Sequence, residues 1–257
     1  MTKRLLVIIP ALNEEQALRG LLEEFKLAQP TLPWATEAVV IDDGSTDRTA
    51  QVAAEANVRV VKLCRNLGIG AAVQTGLRLA FQEGFDAALQ MDGDGQHPPA
   101  EIGRLLARLC TADSPDLVVG SRHIVRRGYQ ATGARRIGQL WLIGCLRLLC
   151  GLTLTDPTSG FRLYGSAALR LFKGAYPDDF PEPESLAIAA KCGLRVVEQP
   201  VEMRARQGGQ SSISGLKPLY YMIKVTLAVA LAVARHRRGR GADPRKAVLE
   251  PGESHAR

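Results

Sequence analysis

The 257-residue chain reads as an α/β protein with a mostly parallel sheet flanked by helices, and three observations lead there. Over the first 120 residues, short Val/Ile/Leu-rich runs alternate with segments of helical spacing, the rhythm of strand, helix, strand. The apolar runs are nearly continuous rather than alternating, as expected of strands covered on both faces. A polar, glycine-rich or charged segment follows each run, at the edge where such sheets collect ligands.

Taken in order, RLLVIIP (4–10) is a first strand that Pro10 terminates, and its apolar run is too short and too quickly followed by acids for a signal peptide. EEQALRGLLEEF (14–25) has the apolar spacing of an amphipathic helix. EAVVID, VRVVKL, DAALQMD and DLVVGS are the next strands, separated by the helical patterns DRTAQVAAEA, GAAVQTGLRLAFQEG and PAEIGRLLARL. The segments PALNEE, DDGSTD, CRNLGIG, DGDGQH and GSRH then fall together at the carboxyl edge.

The second half changes character. Residues 137–154 and 216–234 are apolar nearly all round, the first interrupted by Arg147 and the second by Lys224, with Lys217 near its start. Their uncharged runs fall short of the ~18–20 residues of a membrane-crossing helix. They read either as buried core helices or as helices lying on or partly in a bilayer, and RHRRGR after the second favours the bilayer. The expected organisation is one domain over 1–212, an apolar membrane-associated helix with a basic end over 213–238, and a disordered tail over 239–257.

Charge and cysteines narrow the function. The net charge of +7 is concentrated: between Leu117 and Thr155 lie six arginines and no acid, and from Arg235 to Arg257 seven Lys/Arg face three acids. Such blocks suit an anionic membrane, a phosphorylated ligand or nucleic acid. Nucleic acid is disfavoured, because the acidic strand edge repels a phosphate backbone and aromatic residues are only 5% of the chain. Five scattered cysteines without a CxxC pair fit reduced thiols in a cytosolic setting.

The central motif is QMDGDGQH, in which Asp92 and Asp94 follow an apolar run. An EF-hand is excluded, because its sixth and twelfth positions fall on His97 and Gly103. A D-x-D at a strand end, with Gln96 as a further oxygen donor, instead suits Mg²⁺ or Mn²⁺ shared with substrate phosphates. His97 has no His or Cys partner at metal spacing and fits a turn. NLGIGAAVQTG departs from the dinucleotide fingerprint at Val73, and no nucleophile elbow, Walker lysine or H-E-x-x-H occurs. In DDGSTD, Ser45 or Thr46 suits an N-cap and Asp47 favours the helix N-terminus, which leaves Asp42 and Asp43 to accept hydrogen bonds from a base or ribose. A nucleotidyltransferase would also use an acidic α/β site, but the loop after its first strand should be glycine-rich and basic, whereas PALNEE is acidic.

Together, PALNEE, VIDDGSTD, RNLGIGAAVQTG, MDGDGQHPP, VVGSR, DPTSGFRLY and RQGGQSSI occur in the order seen in family-2 glycosyltransferases. The chain resembles their dolichyl-phosphate mannosyltransferase and undecaprenyl-phosphate sugar transferase group over roughly residues 4–234. The resemblance implies a GT-A fold and inverting transfer of a hexose from a GDP- or UDP-sugar to dolichyl or undecaprenyl phosphate. It also implies a peripheral or monotopic enzyme on the cytoplasmic face of a membrane. Carried over by position, Pro10, Ala11, Asn13, Glu14, Asp42, Asp43, Asn66, Gly70, Asp92 and Gly93 would hold the nucleotide sugar, and Asp92, Asp94 and Gln96 the cation. Arg122, Arg135, Arg136, Ser159, Arg162 and Arg206 would form the acceptor-phosphate side, with Asp94, Arg122 and Arg136 as the catalytic groups. PEPESLAIAAKCG is richer in proline than the corresponding helix of similar proteins, with Glu184 as the match and Glu182 as the alternative.

Overall fold

The computed structural model describes residues 2–124, 133–204 and 218–237. Strand β1 (Arg4–Ala11) lies inside the sheet and pairs in parallel with β2 (Ala35–Asp42) from Arg4 opposite Ala35 to Ala11 opposite Asp42. On its other side it pairs in parallel with β4 (Ala87–Gln90), and β3 (Arg59–Lys62) extends the sheet beyond β2. Beyond β4 the short β6 (Arg162–Gly165) runs antiparallel between β4 and β5 (Leu117–Ser121), and β7 (Val196–Pro200) adds in parallel to β5. The order is β3-β2-β1-β4-β6-β5-β7, so only β6 is reversed among the described strands.

The sheet separates two apolar layers, and the pleat of β1 shows why. Leu5, Val7 and Ile9 point to one face, where Leu18, Leu21, Leu22 and Phe25 of α1 (Glu15–Ala28), Val52 of α2 (Thr49–Glu55) and Leu105 of α4 (Ile102–Leu109) cover them. Leu6 and Ile8 point to the other, against Val73 and Leu77 of α3 (Ile69–Gln82). That layer also holds α5 (Gly133–Cys150), α6 (Ser166–Phe172), α7 (Pro181–Lys191) and α8 (Pro218–Arg237). Each fully buried side chain of this kind contributes roughly 1.5–3 kcal/mol. A parallel sheet clothed on both faces is the fold class expected from the apolar runs.

The two apolar helices of the second half answer both readings of them. Leu142 and Leu146 of α5 and Val225, Val229 and Val233 of α8 are buried in the common core. The opposite faces leave Leu140, Trp141 (53% exposed) and Leu148 (86%) of α5, with Ile223, Leu227 and Leu231 of α8, open to solvent. The Trp141 indole N–H donates to Thr226 Oγ1 at 2.9 Å, locking the two helices side by side. Among the described residues no helix is long and apolar enough to cross a membrane. The helix expected over 137–154 starts earlier and ends at Cys150, where Gly151, with a φ of 72°, turns the chain out of the helix. All five cysteines are free.

Candidate active site

Strands β1, β2 and β4 end side by side, and backbone hydrogen bonds continue past their ends. The Met91 N–H donates to Ile8 O, Gly93 N–H to Pro10 O and Asp43 N–H to Ala11 O. Pro10, Ala11, Asp42, Asp43, Asp92 and Gly93 are thereby gathered at one sheet edge. The reversed β6 begins at this edge, so the segment 156–161 that precedes it joins the same cluster.

Each acid in the cluster is held individually. Asp42 is buried and one carboxylate oxygen accepts the Ser45 N–H at 2.9 Å. Asp43 engages both oxygens with the next loop, accepting from Leu67 N at 2.7 Å and Gly68 N at 2.9 Å. Its carboxylate therefore ties down the loop that contains Asn66, whose own Oδ1 accepts from Gly68 N. Gly70 follows at the start of α3, where a Cβ would lie 2.3 Å from Pro177 O, so only glycine allows this approach. Asn13 has a positive φ of 56° and links the first loop to the second, accepting the Thr46 N–H through Oδ1. Glu14 is buried beside it, and its N–H donates to Thr49 Oγ1.

Asp92 and Asp94 sit just beyond β4, which ends at Gln90 rather than including the first carboxylate. Asp94 is buried and its Oδ1 accepts the Gln96 N–H at 3.0 Å. Asp92 is partly exposed, and its N–H donates to Nδ1 of buried His97, whose ring stacks on Phe161 with centroids 4.9 Å apart. His97 thus serves the turn, as its lack of metal-spaced partners predicts. A Cβ on Gly160 would lie 2.6 Å from Asp92 Oδ2, so the carboxylate rests directly on glycine backbone. Two carboxylates with the Gln96 amide on one loop form an all-oxygen donor set, which fits a hard divalent ion such as Mg²⁺ or Mn²⁺. Among the described residues, no three His, Cys, Asp or Glu side chains cluster as an all-protein cage. An ion here would complete its shell with ligand oxygens.

The basic residues divide. Arg122, just past β5, donates through Nε to Oδ2 of fully buried Asp156 at 2.8 Å. Asp156 is fixed in turn by Glu198 of β7, whose carboxylate accepts its N–H at 2.7 Å and that of Thr155 at 2.8 Å. Gln139 of α5 donates to Thr155 O, which ties the apolar helix to this segment. Arg136 is exposed on α5. Of the remaining candidates, Arg206 lies outside the described residues, as does the Arg135 side chain.

Arg162 and Ser159, expected to shape the acceptor side, are both buried. Arg162 is fully buried and donates to Ser159 O, Glu182 O, Ser185 Oγ and Pro157 O. A guanidinium so enclosed braces the loop before β6 against α7 rather than facing a phosphate. The Ser159 hydroxyl is buried and accepts the Phe161 N–H, which is a local turn contact. Glu182, near Arg162, has its carboxyl pushed above the usual range by burial, opposed by Arg162 and reinforced by Asp92. Glu184 is pushed up as well, mainly by burial. Of the two, only Glu182 feels the Asp92 charge among the causes of its shift. Sequence reasoning gave no role to Asp156, Gly160 or Gln90, although they stand in DPTSGFRLY and QMDGDGQH, and did not single out Glu198, because their distant partners are set by tertiary contacts.

This fold and site define a glycosyltransferase of the GT-A class. The fold matches crystal structures of glucosyl-3-phosphoglycerate synthase from Mycobacterium tuberculosis. The complex with UDP gives a TM-score of 0.68 at 21% identity, covering 91% of this chain and 80% of that one. A complex of that enzyme with Mn²⁺, UDP and glucosyl-3-phosphoglycerate gives 0.65 at 20% identity, covering 91% and 80%. The model of the family "Glycosyl transferase family 2" matches residues 6–170, and the chain belongs to that family. It is 33% identical over 226 residues to an undecaprenyl-phosphate mannosyltransferase of Micrococcus luteus, covering 82% of this chain and 88% of that protein. It is 30% identical over 234 residues to a polyprenol monophosphomannose synthase of Mycolicibacterium smegmatis, covering 87% and 86%.

Proposed function

We propose that this glycosyltransferase moves a hexose from a UDP- or GDP-sugar onto a polyprenyl phosphate, of dolichyl or undecaprenyl type, with inversion at the anomeric carbon. The observation that carries this reading is a juxtaposition at one sheet edge. The carboxylate loop of Asp92 and Asp94 shares that edge with Arg122, whose guanidinium is braced on buried Asp156. The same segment is tied through Thr155 to α5, and neither α5 nor α8 contains an acidic residue. The names of the similar enzymes point to the same acceptor class.

In this reading Pro10, Ala11, Asn13, Glu14, Asp42, Asp43, Asn66, Gly70 and Gly93 form the nucleotide side, largely by building its loops. Asp92, Asp94 and Gln96 would hold Mg²⁺ or Mn²⁺, which when bound offsets the charge growing on the departing diphosphate. Arg122, with Arg136 and the undescribed Arg135 and Arg206, orients the acceptor phosphate. A phosphate monoester has a second pKa of about 6, so near neutrality it is already an anionic nucleophile and needs positioning more than deprotonation. Arg122 supplies a planar fork of N–H donors, and Asp156 fixes its direction.

The lipid follows from the outer faces of α5 and α8. Leu140, Trp141, Leu148, Ile223, Leu227 and Leu231 form an apolar surface with exposed Arg136, Arg147 and Arg235 on the same two helices. This combination favours peripheral or monotopic seating on an anionic bilayer, on its cytoplasmic face where nucleotide sugars are supplied. The same excess of positive charge disfavours pairing with a second copy of this face.

The reaction is tested by supplying UDP- and GDP-hexoses with undecaprenyl phosphate or with undecaprenol, and reading the product anomer by NMR. Sugar transfer to the phosphate with inverted configuration is expected. Robust transfer to unphosphorylated prenol or to phosphoglycerate, with undecaprenyl phosphate ignored, would overturn the acceptor assignment while leaving the donor side intact.

A further inference from the structure

Gln90 closes β4 with its side chain only 1% exposed, an amide placed inside the protein next to the carboxylate loop. A buried amide is costly unless its groups are paired. Its Nε2 donates to Asp92 Oδ1 at 3.2 Å, and its Oε1 accepts from the Tyr164 hydroxyl at 3.4 Å. Tyr164 stands on β6 opposite Ala88, two positions along from Arg162, the partner of Gln90, and its hydroxyl meets that of Tyr176 at 2.8 Å. Both phenols are deeply buried, and burial pushes each above its ordinary range, so both keep their protons. Tyr176 also interacts with Ser185, which bonds to Arg162.

The Asp92 carboxylate decides how the amide sits. An ionised carboxylate only accepts, so the NH₂ end of Gln90 faces Asp92 Oδ1 and Oε1 faces Tyr164. The single Tyr164 hydroxyl proton then goes to Oε1, which leaves Tyr176 as the donor between the two phenols. On its other side, the Asp92 carboxylate rests on Gly160 at a distance that leaves no room for a Cβ. The carboxylate is thus held between an N–H donor on Oδ1 and a glycine floor beneath Oδ2.

We propose that Gln90 is a positioning residue for the divalent-ion site. It fixes the Asp92 carboxylate in one orientation through Oδ1, and Tyr164 fixes Gln90. The inference rests on the reading of Asp92 and Asp94 as the cation-holding pair and goes beyond it, because the Gln90 amide is spent on Asp92 and Tyr164 and would act on the ion only through that carboxylate. Groups that hydrogen-bond to ligating carboxylates typically alter metal affinity about 10–100-fold when removed.

The test measures Mn²⁺ binding directly, by loss of the free-ion electron paramagnetic resonance signal in the presence of UDP, and separately GDP. Wild type, Asp92→Asn, Gln90→Met, Tyr164→Phe and Gln90→Met/Tyr164→Phe are compared. Gln90→Met should weaken Mn²⁺ about 10-fold or more and raise the Mn²⁺ concentration for half-maximal transfer, with kcat at saturating Mn²⁺ within about threefold of wild type. Tyr164→Phe should weaken Mn²⁺ by a smaller factor and add almost nothing when Gln90 is already Met, since it acts through that amide. Unchanged Mn²⁺ affinity in a folded Gln90→Met protein would overturn the proposal, as would additive effects in the double variant. Should Gln90→Met fail to fold, Tyr164→Phe alone decides, and unchanged affinity there overturns the coupling. Full Mn²⁺ binding by Asp92→Asn would instead refute the underlying assignment of the site, a distinguishable result.

Discussion

Replacing Gly160 by alanine tests the carboxylate loop with a single methyl group. The new Cβ would lie 2.6 Å from Asp92 Oδ2, 3.0 Å from Oδ1 and 3.1 Å from Cγ. Ordinary van der Waals contact begins near 3.4 Å, so the carboxylate must retreat by about 0.8 Å. The obstacle is the end of a side chain rather than backbone, so the retreat is cheap for folding, within ~1 kcal/mol. For function it is not cheap. Mg²⁺ demands near-octahedral oxygens at about 2.0–2.1 Å, and a ~1 Å misplacement of a reacting group costs about 10²-fold. Gly160→Ala should therefore transfer sugar roughly 10²-fold more slowly and require more Mn²⁺, with its melting temperature within a few degrees of wild type. The assay pairs initial rates across an Mn²⁺ titration with thermal unfolding in the absence of metal. A variant with normal rate and normal Mn²⁺ requirement would refute the argument that this contact sets the carboxylate position. A collapse in melting temperature would refute the claim that the side chain can yield.

Four other outcomes are expected. Asp92→Asn or Asp94→Asn should reduce transfer at least ~10²-fold, since each removes a charge from the ion's shell, and full activity in excess EDTA would contradict it. Arg122→Lys should impair transfer while leaving nucleotide affinity unchanged, because an ammonium cannot reproduce the planar fork; equal kcat/KM for undecaprenyl phosphate would contradict it. Replacing Leu148 and Leu227 together by glutamate should release the protein from anionic vesicles without loss of stability, since both side chains are exposed, and unchanged co-sedimentation would send the bilayer to another surface. Deleting α8 is the poorer test, because it strips Val225, Val229 and Val233 from the core. For pH, the Glu182 carboxyl is raised in the folded state, so that state binds more protons than the unfolded chain as pH rises above the ordinary glutamate range. Stability therefore falls through that window. Glu182→Gln should flatten the fall in metal-free thermal unfolding, and an unchanged pH slope would contradict it.

The sequence by itself determined the first half of the fold and the loops at its edge, for reasons of period and composition. Short, Val/Ile-rich, near-continuous runs such as Leu5–Ile9 and Val39–Ile41, alternating with helical segments, read as covered strands, and acids and glycines placed just after them lie where parallel strands end. The seven motifs, read in order, also carried the family. The tertiary structure alone decided the second half. β6 is four residues long, too short for a periodic signal, and its reversal is what brings Gly160 beneath Asp92. Arg162 was legible as a charge on the acceptor side, but its burial was not, and the fold encloses it among carbonyl oxygens. The apolar helices likewise showed their composition but not their two faces, since a helix apolar all round carries no moment to say which side meets the core. Gln90, Asp156 and Glu198 act on partners at least 34 residues away or on a neighbouring strand's chain, except for the local reach of Gln90 to Asp92. Such contacts arise only when strand pairing sets distant residues side by side, and local patterns in the chain cannot encode them.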